Sequence, residues 1–83
     1  MPEITRFNGI VIKMFTRGEH NPPHIHAIYN EHNSVIDIET SNALEGDLPL
    51  KQLKQVAEWT KQHRAELQKM WDDKKISSLP PLE

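Results

Sequence analysis

The feature that most constrains this chain is a change of hydrophobic period near its middle. Before Gly46, apolar residues in short runs recur at every second position; after Pro49 they recur at three- and four-residue steps. A period of two belongs to strands and one near 3.6 to helices, so the pattern predicts a sheet built first and a helical layer added after it. The expected fold is α+β: a small antiparallel sheet of three to four strands, followed by one long or two consecutive C-terminal helices packed on one face.

Ile4 to Phe7 and Ile10 to Phe15 are rich in β-branched and aromatic residues and are interrupted by Asn8-Gly9, so they read as a hairpin or a bulged long strand. His24 to Tyr29 reads as a strand with Ile25, Ala27 and Tyr29 on one face and His24, His26 and Ile28 on the other. Asn30-Glu31-His32-Asn33 has the composition of a hairpin connection. It would pair Ser34 to Glu39 antiparallel with the preceding strand, with Ile36 and Ile38 inward and Asp37 and Glu39 outward. A short strand around Ala43 to Glu45 leads into a helix that begins near Asp47 to Pro49, with a capping side chain and a first-turn proline. Leu53, Val56, Ala57, Thr60, Arg64, Leu67 and Trp71 form its stripe, widened by Trp59, His63 and Met70; a break near His63 would divide it in two. Residues 1–73 are expected to form the single domain and residues 74–83 an irregular tail, because the end of the chain carries turn formers and prolines without periodicity.

Eighty-three residues support one core, with little stability beyond the entropy cost of ordering it. There is no cysteine, which removes disulfides, thiolate nucleophiles and sulfur metal sites. Any further staple must be imidazole, carboxylate or another chain, so a homodimer or a small cognate protein partner is expected. No apolar run approaches the roughly 18–20 residues of a membrane span, and the N-terminus lacks a signal-peptide pattern. No membrane association and a cytoplasmic location are the expectations. Ten Lys and Arg against twelve Asp and Glu argue against a strongly basic nucleic-acid binder. The distribution is uneven: Glu19 to Asp47 holds six acids, four histidines and no lysine or arginine, so this stretch should attract cations.

Three of the five histidines lie in His20-Asn21-Pro22-Pro23-His24-Ile25-His26. The prolines fix their own φ and restrain the residues before them, which makes His20 to Pro23 a stiff, extended lead-in. Beyond it, His24 and His26 share a strand face and meet Asp37 and Glu39 from the hairpin partner, with His20 reaching over. Three readings compete. In the first, His24, His26, Asp37 and Glu39 hold a divalent transition metal such as zinc, iron(II), nickel or manganese. In the second, His20, His24 and His26 are catalytic, acting as general acid and base, as in metal-independent RNA cleavage; a cation must then neutralise the phosphate. Lys13, Arg17 and Arg64 are the nearest in sequence, and the acidic window opposes polyanion binding unless strand pairing brings Lys13 and Arg17 alongside. In the third, the histidines are ordinary hydrogen-bonded sheet residues and the prolines shape a turn. His63 beside Trp59 reads as a packed core residue, His32 as a solvated loop residue, and Trp59, Met70 and Trp71 as core. No Gly-rich phosphate loop, Gly-x-Ser-x-Gly elbow or His-Glu-x-x-His helix occurs.

Several blocks together resemble a known family: Phe7-Asn8-Gly9-Ile10-Val11-Ile12, Glu19-His20-Asn21-Pro22-Pro23-His24-Ile25-His26-Ala27, Leu44-Glu45-Gly46-Asp47-Leu48-Pro49, Glu58-Trp59, His63-Arg64-Ala65-Glu66-Leu67 and Trp71. They look like the small bacterial proteins grouped as domain of unknown function 4160, over about Met1 to Trp71. The family often has aspartate at the position of Glu19 and phenylalanine at that of Ile25; neither departure touches a histidine. The resemblance implies a gene often placed beside another small gene, an arrangement similar to toxin–antitoxin pairs, and hence a candidate toxin acting on RNA or translation. It carries the site onto His20, His24 and His26.

Overall fold

Asn8 and Gly9 both take positive φ, 49° and 78°, the backbone of a tight two-residue hairpin turn, and fold strand β1 (Glu3–Phe7) onto β2 (Ile10–Lys13). The computed structural model describes residues 3–15 and 21–82. A second hairpin, with Asn30 at φ 53°, joins β3 (His24–Tyr29) to β4 (His32–Asp37), and β5 (Ala43–Gly46) follows. Each strand pairs antiparallel with its neighbour in sequence, so the sheet runs β1-β2-β3-β4-β5.

The sheet has five strands, one more than the three to four expected. The additional one comes from the first segment, which is a hairpin of two strands and not one bulged long strand; the short strand expected around Ala43 is present as β5, its four residues all exposed and held by backbone pairing to β4. The β3–β4 loop is also tighter than expected. β4 therefore begins at His32 and ends at Asp37, leaving Glu39 in the following turn.

Ile10, Ile12, Ile25, Ala27 and Ile36 share one face and are fully buried. They join Val56, Trp59 and Leu67 of helices α1 (Leu50–Gln62) and α2 (Arg64–Asp73) in a single core, which Met70 and Trp71 extend. The helix breaks at His63, whose N–H is shared between the carbonyls of Trp59 and Thr60. The break changes the helical phase, which is why Arg64, expected on the inward stripe, is exposed. No side chain caps α1. Asp47, expected in that role, instead accepts the Asn33 N–H at 3.1 Å and lies 3.2 Å from His32 Nδ1, binding the exit of β5 to the start of β4. These contacts also hold His32, expected to be only solvated.

Residues 75–82 form neither helix nor strand, yet they are docked. Leu79 N–H donates to the Ile4 carbonyl at 3.1 Å, the Trp59 indole N–H donates to the Pro80 carbonyl at 2.8 Å, and Ile76, Leu79 and Leu82 pack against the core. Among the described residues, no helix is long and apolar enough to cross a membrane.

Candidate functional site on the open face of the sheet

Ile25 and Ala27 are completely buried against the helical layer, so the strand period turns His24 and His26 to the opposite face. Their rings stand 5.3 Å apart, centroid to centroid. Pairing register then builds a row across this face: Lys13 opposes His26, His26 opposes Val35, and Val35 opposes Glu45. A cation, an imidazole, an apolar side chain and a carboxylate thus occupy adjacent strands at a spacing of about 4.8 Å. Lys13 lies outside the acidic window in sequence, and β2–β3 pairing brings it beside the histidines. Phe15, half exposed, meets the His26 ring edge-on at 4.8 Å.

His24 is held by its own lead-in and by α2. Its Nδ1 lies 2.8 Å from the Pro22 carbonyl. A carbonyl only accepts, so Nδ1 carries the hydrogen, and in the neutral ring Nε2 is the accepting nitrogen. The Pro23 carbonyl accepts Ile38 N–H at 3.0 Å, which ties the lead-in to the end of β4; the Asn21-Pro22 peptide is cis. Trp71, in the last turn of α2, sets its ring 4.9 Å from that of His24, and the Lys74 ammonium lies 4.9 Å from the centre of the Trp71 ring. His24 is consequently only 8% exposed, whereas His26 is half-buried and more accessible.

A groove of about 390 Å³ is lined by Asn21, Pro22, His24, His26, Val35, Leu44 and Glu45. A second hollow, about 510 Å³, shares His26, Val35 and Glu45 with it and adds Asn33 and Gly46. An irregularity in the β4–β5 register between Val35 and Ile36 explains why Leu44 and Glu45, consecutive in sequence, line the same groove. An extra residue on one strand interrupts the alternation and re-aims its side chains.

The other expected site residues divide. Asp37 pairs with His24 across the β3–β4 ladder, two residues from the register that a loop of Asn30 to Asn33 would give. Its Oδ1, however, accepts the N–H groups of Glu39 at 2.7 Å and Thr40 at 3.0 Å, so the carboxylate shapes the turn. Glu39 lies in that turn and lines a notch with Lys61, Gln62, Arg64, Ala65 and Gln68 at the α1–α2 junction, apart from the histidine groove. Among the described residues, no group of three or more His, Asp or Glu is placed to hold a metal ion. His20 and Arg17 lie outside the described residues. His63 packs 5.0 Å from Trp59 at the helix break and does not line this groove; its Nδ1 lies 3.4 Å from Glu66. The sequence reading had no means of finding Glu45, Leu44 or the contact of Trp71 with His24. Each depends on register or on packing between layers.

Residues 9–72 match the family described as Domain of unknown function (DUF4160). The chain belongs to this family. The DUF4160 region runs from the first hairpin turn to the last turn of α2, and so includes Lys13, His20, His24, His26, Glu45 and Trp71. No curated protein and no solved structure gives a match to the chain.

Proposed function

We propose that the open face is an acid–base site for cleaving RNA phosphodiester bonds, in a protein acting in the cytoplasm as the toxin-type component of a two-gene module. The observation that carries this reading is the pairing of Lys13 with His26 beside a second imidazole. Imidazoles exchange protons near neutral pH, and an ammonium beside them offsets the charge of a bound phosphate. His24, whose Nδ1–H is committed to the Pro22 carbonyl, takes the proton of the ribose 2′-hydroxyl on Nε2. The 2′-oxygen bonds to phosphorus, the bond from phosphorus to the 5′-oxygen breaks, and protonated His26 gives its proton to that leaving oxygen. The products are a 2′,3′-cyclic phosphate and a 5′-hydroxyl. His24 then releases its proton to water and His26 takes one from water, so the cycle consumes no net proton and requires no oxidant or reductant.

The test is cleavage of a labelled single-stranded RNA by the purified chain in the presence of a chelator. His26→Ala and His24→Ala should each slow cleavage by about 10²–10⁴-fold, the usual contribution of one positioned proton-transfer group. Lys13→Ala should raise KM more than it lowers kcat. Undiminished cleavage in a His24→Ala/His26→Ala protein removes the histidines from the mechanism. Cleavage that needs an added divalent ion replaces this reading with the metal one.

A further inference from the structure

Resting on that reading, we infer that the groove between β3 and β5 is a nucleobase subsite selective for guanine, with Glu45 reading the base edge. The row Lys13–His26–Val35–Glu45 is ordered by charge, with a cation at one end and a carboxylate at the other. These ends are three strand spacings apart, roughly 14 Å. A phosphate seated by Lys13 and His26 is repelled by Glu45, so the part of a nucleotide lying over Glu45 is its uncharged base. The groove there has the composition a base requires: Pro22, Val35 and Leu44 supply apolar walls, while Asn21 and Glu45 supply polar groups at the rim. Leu44 is 48% exposed, and the register irregularity is what brings it to the same groove as Glu45.

The carboxylate decides which base. Ionised glutamate only accepts hydrogen bonds, and its two oxygens suit a partner with two adjacent donors. Guanine alone presents such a pair, N1–H and the N2 amino group. Cytosine and adenine each place an accepting ring nitrogen beside their amino group, which would face the carboxylate lone pairs, and uracil flanks its single N–H with two carbonyls.

The experiment is titration of the full chain with guanosine 3′-monophosphate and with its adenosine, cytidine and uridine counterparts, following the amide signals of His26, Val35 and Glu45 by NMR. Guanosine monophosphate should bind about 10- to 100-fold tighter than the others, the discrimination of one good bidentate pair. Glu45→Gln should bring the affinity for guanosine monophosphate to the level of the other three nucleotides. Equal binding of all four nucleotides overturns the inference, as does a guanine preference that survives Glu45→Gln. These monophosphates have no bond to cleave, so the two readings fail separately. Guanine-selective binding without RNA cleavage keeps the subsite and removes the catalytic reading; cleavage without base preference does the reverse.

Discussion

Gly46→Ala should dismantle the acid end of the groove, because the residue sits where β5 closes against β4. Its φ is 111°, a region that L side chains rarely adopt, and an added Cβ would overlap the Asn33 carbonyl and the Ser34 Cα and lie 2.6 Å from Ser34 Oγ. Two of these three neighbours are backbone, so the collision cannot be relieved by a rotamer change. Holding a non-glycine residue at such a φ costs about 1–3 kcal/mol. Moving β5 away instead breaks the buried bond from Leu48 N–H to Ser34 Oγ, now 3.0 Å, at about 1 kcal/mol or more. The combined cost is placed at about 3 kcal/mol, against roughly 4–12 kcal/mol for a domain of 83 residues. With a urea slope of about 1 kcal/mol per molar, the unfolding midpoint followed by far-UV circular dichroism should fall by about 3 M. Gly9→Ala is the control: φ there is also positive, at 78°, but the added Cβ would meet only the Tyr29 ring, at 3.2 Å, which can shift. Its midpoint should fall by less than half as much. A Gly46→Ala protein within about 1 kcal/mol of the parent would refute the tight closure of β5 on β4, and with it the placement of Glu45.

Two further outcomes follow from single contacts. The Asn33 backbone N–H, and next the His32 ring, hold the Asp47 carboxyl below its usual range. A lowered carboxyl pKa adds stability above its unfolded value, and that contribution is lost as pH falls through the folded one. Between about pH 5 and pH 3 the urea midpoint of the parent should therefore drop further than that of Asp47→Asn. Glu3, lowered chiefly by its hydrogen bond to Arg6, acts in the same sense in both proteins and cancels in the comparison. For the histidines, acylation by diethyl pyrocarbonate read by mass spectrometry should mark His26 before His24, since Trp71 covers His24. In Trp71→Leu the His24 rate should rise severalfold with His26 unchanged; equal rates in the parent would contradict the cover.

What was legible in the sequence was what local chemistry dictates. Asn8-Gly9 marked an interruption that read as a hairpin turn or a bulge, and the two positive φ values in succession, which few other dipeptides accept, make it the turn. His24 and His26 were assigned to one face because alternation along a strand is a property of the backbone, and the burial of Ile25 and Ala27 agrees. Asp37 was placed on the strand that pairs with His24 and His26, but not at its register: the loop of four residues expected would set it opposite His26, and the tighter turn sets it opposite His24. Glu39 was not legible. One shortened loop ended β4 at Asp37 and sent Glu39 into a turn facing the helix junction.

The sequence alone therefore determined the α+β order of elements, the β3–β4 hairpin and the common face of two histidines, all of them consequences of periodicity and turn chemistry within a dozen residues; it left open whether the first segment turns and whether the helix breaks at His63. Only the tertiary structure decided the company those histidines keep. Lys13 reaches His26 through β2–β3 pairing, Glu45 joins the row through β4–β5 pairing and its register irregularity, and Trp71 covers His24 from a helix that begins about forty residues later in the chain. The reason is that register between strands and contact between layers are set by the packing of one shared core, to which every element contributes at once.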